Sequence, residues 1–283
     1  MGDGQWLRTL TPNVAARRRL VCFPHAGGSA NFFRSWVPLL SPDVALVAVQ
    51  YPGRADRLRE PCATSLLEMA AEVAESLRAA PAQPTTLFGH SMGAIVAYEV
   101  ARLLESFGQS VERMVVSASR APHERDGVAS LDVWNDDAAL RALVSLGGTV
   151  DDPELLADPR VRALVLPYLR ADYTMLQRYR HPSGAGLGCE LLVVSGESDT
   201  HVTPDHCARW ADLTHGRFAH VVRPGGHFYL APDPPTDLFL GPLPDGLGRS
   251  SSSRDPLNVA PGRFDAPTGD DAEIGVHGPR RVG

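Results

Sequence analysis

Short apolar runs alternate along this chain with longer stretches whose apolar residues recur at helical spacing. No other feature constrains the fold as much. Strands that read as continuous apolar runs are buried on both faces, and a chain that returns to them through helices builds a parallel sheet. The runs at 20–23, 45–49, 85–88, 114–118, 190–195 and 218–222 are predicted strands. The stretches 65–80 ("SLLEMAAEVAESLRAA") and 94–107 are predicted helices, the second ended by Gly108. At 283 residues the chain can form one large domain or two small ones. The alternation favours one doubly wound α/β domain, a mostly parallel sheet flanked by helices.

The alternation breaks twice. Residues 120–188 carry helical patterns near 136–146, 151–156 and 158–179 and no clear strand. A helical insertion between two strands of one sheet is expected to act as a lid over the sheet's C-terminal edge. Its candidate inner residues are Leu164, Leu166, Tyr168, Tyr173, Met175 and Leu176, and Pro167 is expected to kink or split the longest helix. From Pro232 onward Pro, Gly, Ser and Asp dominate without apolar periodicity, which predicts a folded domain at 1–243 and a disordered tail at 244–283.

Composition removes several chemistries. All 27 basic residues are arginine, so Schiff-base chemistry, a Walker lysine and a Ser-Lys dyad are excluded. A net charge of −6 gives no reason to expect nucleic-acid binding. No apolar run approaches the ~20 residues of a membrane span. The start, "MGDGQWLRTL", lacks the regions of a signal peptide, which predicts a cytoplasmic protein. Cys22, Cys62, Cys189 and Cys207 are scattered and predict reduced thiols, not a disulfide frame or zinc site.

The sharpest motif is Gly89-His90-Ser91-Met92-Gly93. Alone, GxSxG arises by chance in about one chain in ten of this length. Here it follows a predicted strand and opens a predicted helix, the context of a nucleophile elbow. Glycines two positions either side of the serine avoid a collision in the turn, and the helix N-terminus favours a developing oxyanion. Ser91 is therefore the candidate nucleophile. An ordinary glycine turn is the alternative.

A serine nucleophile needs a base, and the elbow architecture places a histidine on a loop after a late strand. His227 in "VVRPGGHFYL" fits, with Gly225 and Gly226 freeing the backbone; His220 lies within the strand and His277 in the tail. For the acid, Asp199 in "SGESDTHVTP" stands just beyond a strand and before a helix near Pro204. A carboxylate there can hold the imidazole tautomer. An acid after the preceding strand is the alternative, where Glu124 and Asp126 are the first carboxylates. "FPHAGGSANFF" after the first predicted strand can supply an oxyanion-hole N–H, with Ala26 favoured by position and Met92 supplying the other. His25 reads as loop packing. A metal site from His201, His206, Asp199 and Asp205 is disfavoured, because a strand–helix junction explains the same residues.

"FPHAGG" (23–28), "QYPGRADR" (50–57), "GHSMGA" (89–94), "LRADY" (169–173) and "GGHFYL" (225–230) together resemble the stand-alone type II thioesterases that accompany polyketide and non-ribosomal peptide synthases. The resemblance covers about 20–230. It implies the α/β-hydrolase fold with a mobile helical lid, a triad of Ser91, Asp199 and His227, and oxyanion amides at Ala26 and Met92. It also implies hydrolysis of acyl thioesters from the phosphopantetheine arm of acyl or peptidyl carrier proteins, by a cytoplasmic monomer without metal or cofactor. The family's closing amphipathic helix is not expected here, given Pro232, Pro234, Pro235, Pro242 and Pro244. Arg54, Arg57 and Arg59 are expected to help dock an acidic carrier. A small-molecule serine esterase and a non-catalytic carrier-binding protein are the rival readings.

Overall fold

The computed structural model describes residues 5–11, 16–124, 135, 158–182, 184 and 186–244. Strands β1 (Leu7–Thr9), β2 (Arg18–Phe23), β3 (Val44–Val49), β4 (Thr85–His90), β5 (Arg113–Ser117), β6 (Glu190–Gly196) and β7 (Phe218–Arg223) form one sheet in the order β1-β3-β2-β4-β5-β6-β7. Six are the predicted runs and pair in parallel. The short edge strand β1, antiparallel to β3, carries no apolar run and was not legible.

The chain passes from β2 out to β3 and returns as β4 on the other side of β2, so the winding reverses between β2 and β4. In open α/β sheets that reversal opens a crevice at the C-terminal strand ends, where ligands bind. The loops after Phe23 and after His90 meet there, since Phe23 pairs with Gly89 at the end of the ladder.

The two-residue period of the strands feeds two cores. Val21, Phe23, Leu87, Val116 and Val193 join one face, covered by α1 (Leu66–Arg78) and α2 (Met92–Ser106). Ser65 caps α1 by accepting the Glu68 N–H at 3.3 Å, and α2 ends at Gly108 with φ 76°. Leu20, Cys22, Phe88, Val115 and Val194 join the opposite face. There the cover is irregular: a 3-10 segment, Ala30–Leu39, and the chain after β7. Among the described residues, the proline-rich stretch forms the 3-10 turn Thr236–Leu238 and no closing helix. It still packs: Phe239 is buried against Trp36 and Phe88, with ring centroids 5.7 and 5.3 Å apart.

Within the insertion, α3 (Pro159–Arg178) forms over the predicted stretch, capped by Asp158, which accepts the Arg160 N–H at 2.8 Å. Pro167 does not split it. An interior proline costs about 3 kcal/mol, and Val165, Leu166 and Leu169, buried on both sides of it, offset that cost. The predicted helices at 136–146 and 151–156, and the predicted tail beyond Pro244, lie outside the described residues. Helix α4 (Pro204–Ala208) starts where expected, capped by Thr203. Among the described residues no helix is long and apolar enough to cross a membrane.

Candidate active site

Ser91 turns the chain from β4 into α2 with φ 55° and ψ −116°, a conformation that L residues rarely adopt. Its N–H is tied to Ser117 O at 2.8 Å. The flanking glycines are obligatory for steric reasons. A Cβ on Gly93 would lie 2.1 Å from Phe23 O, and one on Gly89 would lie 2.3 Å from Gly93 O. Both obstacles are main chain and cannot step aside.

The loops after β6 and β7 meet through a third close approach. A Cβ on Gly196 would fall 2.1 Å from Gly226 O, so only glycine lets the two loops cross there. Gly225, at φ 111°, then aims the chain back, and Ser198 N–H donates to Gly225 O at 2.9 Å. The crossing brings His227 Nδ1 within 2.8 Å of Asp199 Oδ2, both side chains being buried. The other Asp199 oxygen accepts the N–H groups of His201 at 2.8 Å and Val202 at 3.2 Å. Burial opposes ionisation of Asp199, but these bonds and the imidazole outweigh it and hold its pKa below the ordinary value. A carboxylate acceptor assigns the proton to Nδ1, which leaves Nε2 with its lone pair. Nε2 is buried and has no hydrogen-bond partner among the described residues.

Ser91 and His227 line one cavity of about 200 Å³ with Ala26, Met92, Tyr173 and Leu176. Met92 is the first residue of α2, where an N–H lacks an intrahelical partner. Ala26 sits in a tight turn, Gly28 N–H donating to His25 O at 2.9 Å with Gly27 at φ 79°. Four of the five residues singled out in the sequence thus line one cavity at the reversal point, and the fifth, Asp199, stands behind His227. The alternative acids do not join it: Glu124 pairs with Arg209 at 2.9 Å, and Asp126 lies outside the described residues. His25 packs edge-on against Phe32 and Phe228, and burial, reinforced by His227 and Arg54, lowers its pKa to about 3. His206 is spent on capping α4, its Nδ1 accepting the Thr203 N–H at 3.1 Å. Among the described residues no group of three or more acidic, histidine or cysteine side chains could hold a metal ion.

Two expectations need correction. Of the candidate inner lid residues, only Tyr173 and Leu176 line the cavity. Leu164 is exposed, while Leu166 and Met175 are spent on packing. Arg54 and Arg57 are also not docking residues, because both are buried. Arg57 donates to Gln50 O and Glu60 and stacks over Trp6. Arg54 pairs with Asp172 of α3. A guanidinium with five donors finds internal partners more readily than a short motif reveals. Nothing local in "LRADY" marks Asp172 as a partner for Arg54.

A strand–serine–helix elbow at the reversal of a mostly parallel sheet, with a histidine and a carboxylate on loops after later strands, defines a serine hydrolase of the α/β-hydrolase fold. The chain belongs to the thioesterase domain family, which residues 18–239 match. It is 40% identical to the thioesterase PikA5 of Streptomyces venezuelae over 81% of both chains. It is 38% identical to a probable cadicidin biosynthesis thioesterase of Streptomyces griseus, covering 80% of this chain and 62% of that protein's length. Among solved structures, BorB, the type II thioesterase of the borrelidin biosynthetic cluster, superposes with a TM-score of 0.72 at 36% identity, over 81% of this chain and 93% of its own.

Proposed function

We propose that this thioesterase hydrolyses acyl groups from the phosphopantetheine arm of acyl or peptidyl carrier proteins serving a polyketide or non-ribosomal peptide synthase. It would work in the cytoplasm as a monomer, since one chain supplies every residue invoked. The observation that carries the mechanism is the 2.8 Å bond from His227 Nδ1 to Asp199, with Nε2 buried and without a partner among the described residues, and with His227 and Ser91 lining one cavity. Ser91 Oγ attacks the thioester carbonyl as His227 Nε2 takes its proton, and Asp199 holds the resulting imidazolium. The amides of Ala26 and Met92 receive the tetrahedral oxyanion, each such donor being worth about 3–4 kcal/mol. The pantetheine sulfur leaves with the proton from His227; a thiol of pKa near ~8.5 is a good leaving group. Water then gives a proton to His227 and attacks the acyl-serine, and collapse releases the free acid and restores Ser91.

The test is mass spectrometry of acyl-loaded carrier proteins incubated with the full chain and with its Ser91→Ala variant. Free acid and deacylated carrier are expected from the first and neither from the second. Equal turnover by a folded Ser91→Ala protein would remove Ser91 from the mechanism. Cleavage of oxygen esters with carriers untouched would point to a small-molecule esterase. Carrier binding with neither hydrolysis nor fluorophosphonate labelling would point to a non-catalytic role.

A further inference from the structure

The oxyanion loop, residues 24–30, is held from outside at every second or third residue. Tyr51 OH donates to Pro24 O at 3.1 Å, and Ala30 N–H donates to Gln50 Oε1 at 3.1 Å. Between these ties the loop is gripped by a residue of the insertion. Gly27 N–H donates to Asp172 Oδ2 at 2.8 Å. The same carboxylate receives both terminal nitrogens of Arg54, at 2.5 and 2.7 Å, and Arg54 Nη1 reaches Gly28 O at 3.4 Å. Asp172 is wholly buried and the Arg54 side chain is 3% exposed. Tyr168, one turn before Asp172, lies under the guanidinium at 4.8 Å.

A buried ion pair gives little net stability compared with apolar residues of the same volume, so its presence calls for a geometric reason. Here the geometry is specific. With Gly27 N–H committed to Asp172 and Gly28 N–H to His25 O, neither serves an oxyanion, and the residue just before them, Ala26, lines the cavity. Gly27 N–H belongs to the peptide plane that starts at the Ala26 carbonyl, and His25 O, which accepts Gly28 N–H, belongs to the plane that carries the Ala26 N–H, so the two bonds hold both planes that flank the Ala26 Cα. Arg54 balances the carboxylate charge, which would otherwise repel an oxyanion forming nearby. The half of α3 that carries Asp172 is itself seated, through buried Leu169 and Met175 and the Tyr179 OH bond to Glu99 at 2.6 Å. Its next residues, Tyr173 and Leu176, line the cavity.

We propose that Asp172 is a positioning residue that couples the seating of α3 to the oxyanion hole: the Ala26 amide is aligned only while the Asp172–Arg54 pair grips Gly27. The proposal rests on the catalytic reading above. It makes this half of the insertion a fixed wall of the site. Substrate must therefore reach Ser91 without displacing it.

The experiment compares wild type, Asp172→Asn and the double variant Asp172→Leu/Arg54→Met, counting sites by fluorophosphonate labelling carried to completion. The double variant removes both charges at similar volume and is expected to fold; asparagine keeps one acceptor for Gly27. For each, kcat per labelled site and KM are measured on an acyl-carrier thioester, together with Ki for a boronic acid mimicking the tetrahedral intermediate. The double variant should lose roughly tenfold to hundredfold in kcat per site, the range for a misplaced oxyanion donor. KM should stay within about threefold, boronate Ki should rise in step with the loss in kcat/KM, and Asp172→Asn should fall between. Wild-type kcat per site in the double variant would overturn the proposal, as would a loss confined to Tm or to the labelled fraction. Absence of labelling in the wild-type chain would instead overturn the catalytic reading on which the proposal rests.

Discussion

Ser91 and His227 are each delivered by backbone that only glycines permit, and in the proposed triad one partner sets the chemistry of His227. That partner is Asp199. An amide in its place would still fit the loop and still accept the N–H groups of His201 and Val202, but it could present its NH₂ to Nδ1 and reverse the tautomer. Asp199→Asn is therefore expected to fold normally and lose roughly 10³–10⁴ in kcat, as in the chymotrypsin-type triad. Single-turnover hydrolysis of an acyl-carrier thioester, read beside an unfolding curve, checks both halves; a loss under tenfold would leave Asp199 with a merely structural role. These residues were legible because each sits in a short motif directly after a strand end. Asp172 was not. Its partners Gly27 and Arg54 lie 145 and 118 residues away, and no local pattern joins them.

At the scale of elements, the strands were legible because burial on both faces leaves a continuous apolar run, and α1 and α2 because one face repeats at helical spacing. The cover of the second face was not, since it uses neither period. Phe33, Trp36, Phe88 and Phe239 meet there from three separate segments. The chain after β7 holds the His227 loop by the same contacts: Tyr229 and Leu230 are buried in this cluster, and Tyr229 OH is 2.7 Å from Ser117 Oγ, which in turn meets His90 Nδ1 at 3.0 Å. Arg113 reinforces the segment by donating to Leu238 O and Gly241 O. Proline-rich chain can thus close a sheet when a few large side chains anchor it. Phe239→Ala is expected to cost about 3–5 kcal/mol, with Phe239→Leu recovering most of it. Urea unfolding measures this, and a cost under about 1 kcal/mol would mean that the segment does not cover the face.

Across the whole molecule, the crevice at the reversal of the sheet gathers more imidazoles than the proposed reaction uses. His25 and His90 stand with ring centroids 5.8 Å apart, and His90 and His227 with 5.2 Å, inside the fold. Burial, then repulsion from His227 and Arg54, holds His25 neutral down to about 3, and burial keeps His90 well below 6.5. In the unfolded chain both titrate near the ordinary value of 6.5. Between about 6.5 and about 3 the unfolded chain therefore binds protons that the folded chain refuses, and stability must fall as the pH falls. Above 6.5 both rings are neutral in both states and contribute no slope. The Asp199 carboxylate adds a second loss only lower down, below its ordinary value of 3.8, where its hydrogen-bonded anion is protonated. Each buried histidine contributes at most about 1.4 kcal/mol per pH unit. Urea unfolding from pH 8 to pH 4.5 should show a plateau above about 6.5 and a steady decline beneath it. His25→Leu, which keeps the contacts with Phe32 and Phe228 and removes one titrating ring, should lower the slope of that decline by about a third to a half, since His220, also held below 6.5 by burial, shares it. A wild-type curve flat down to pH 5 would mean that these rings accept protons within the fold, and that the crevice is wetter than its packing implies.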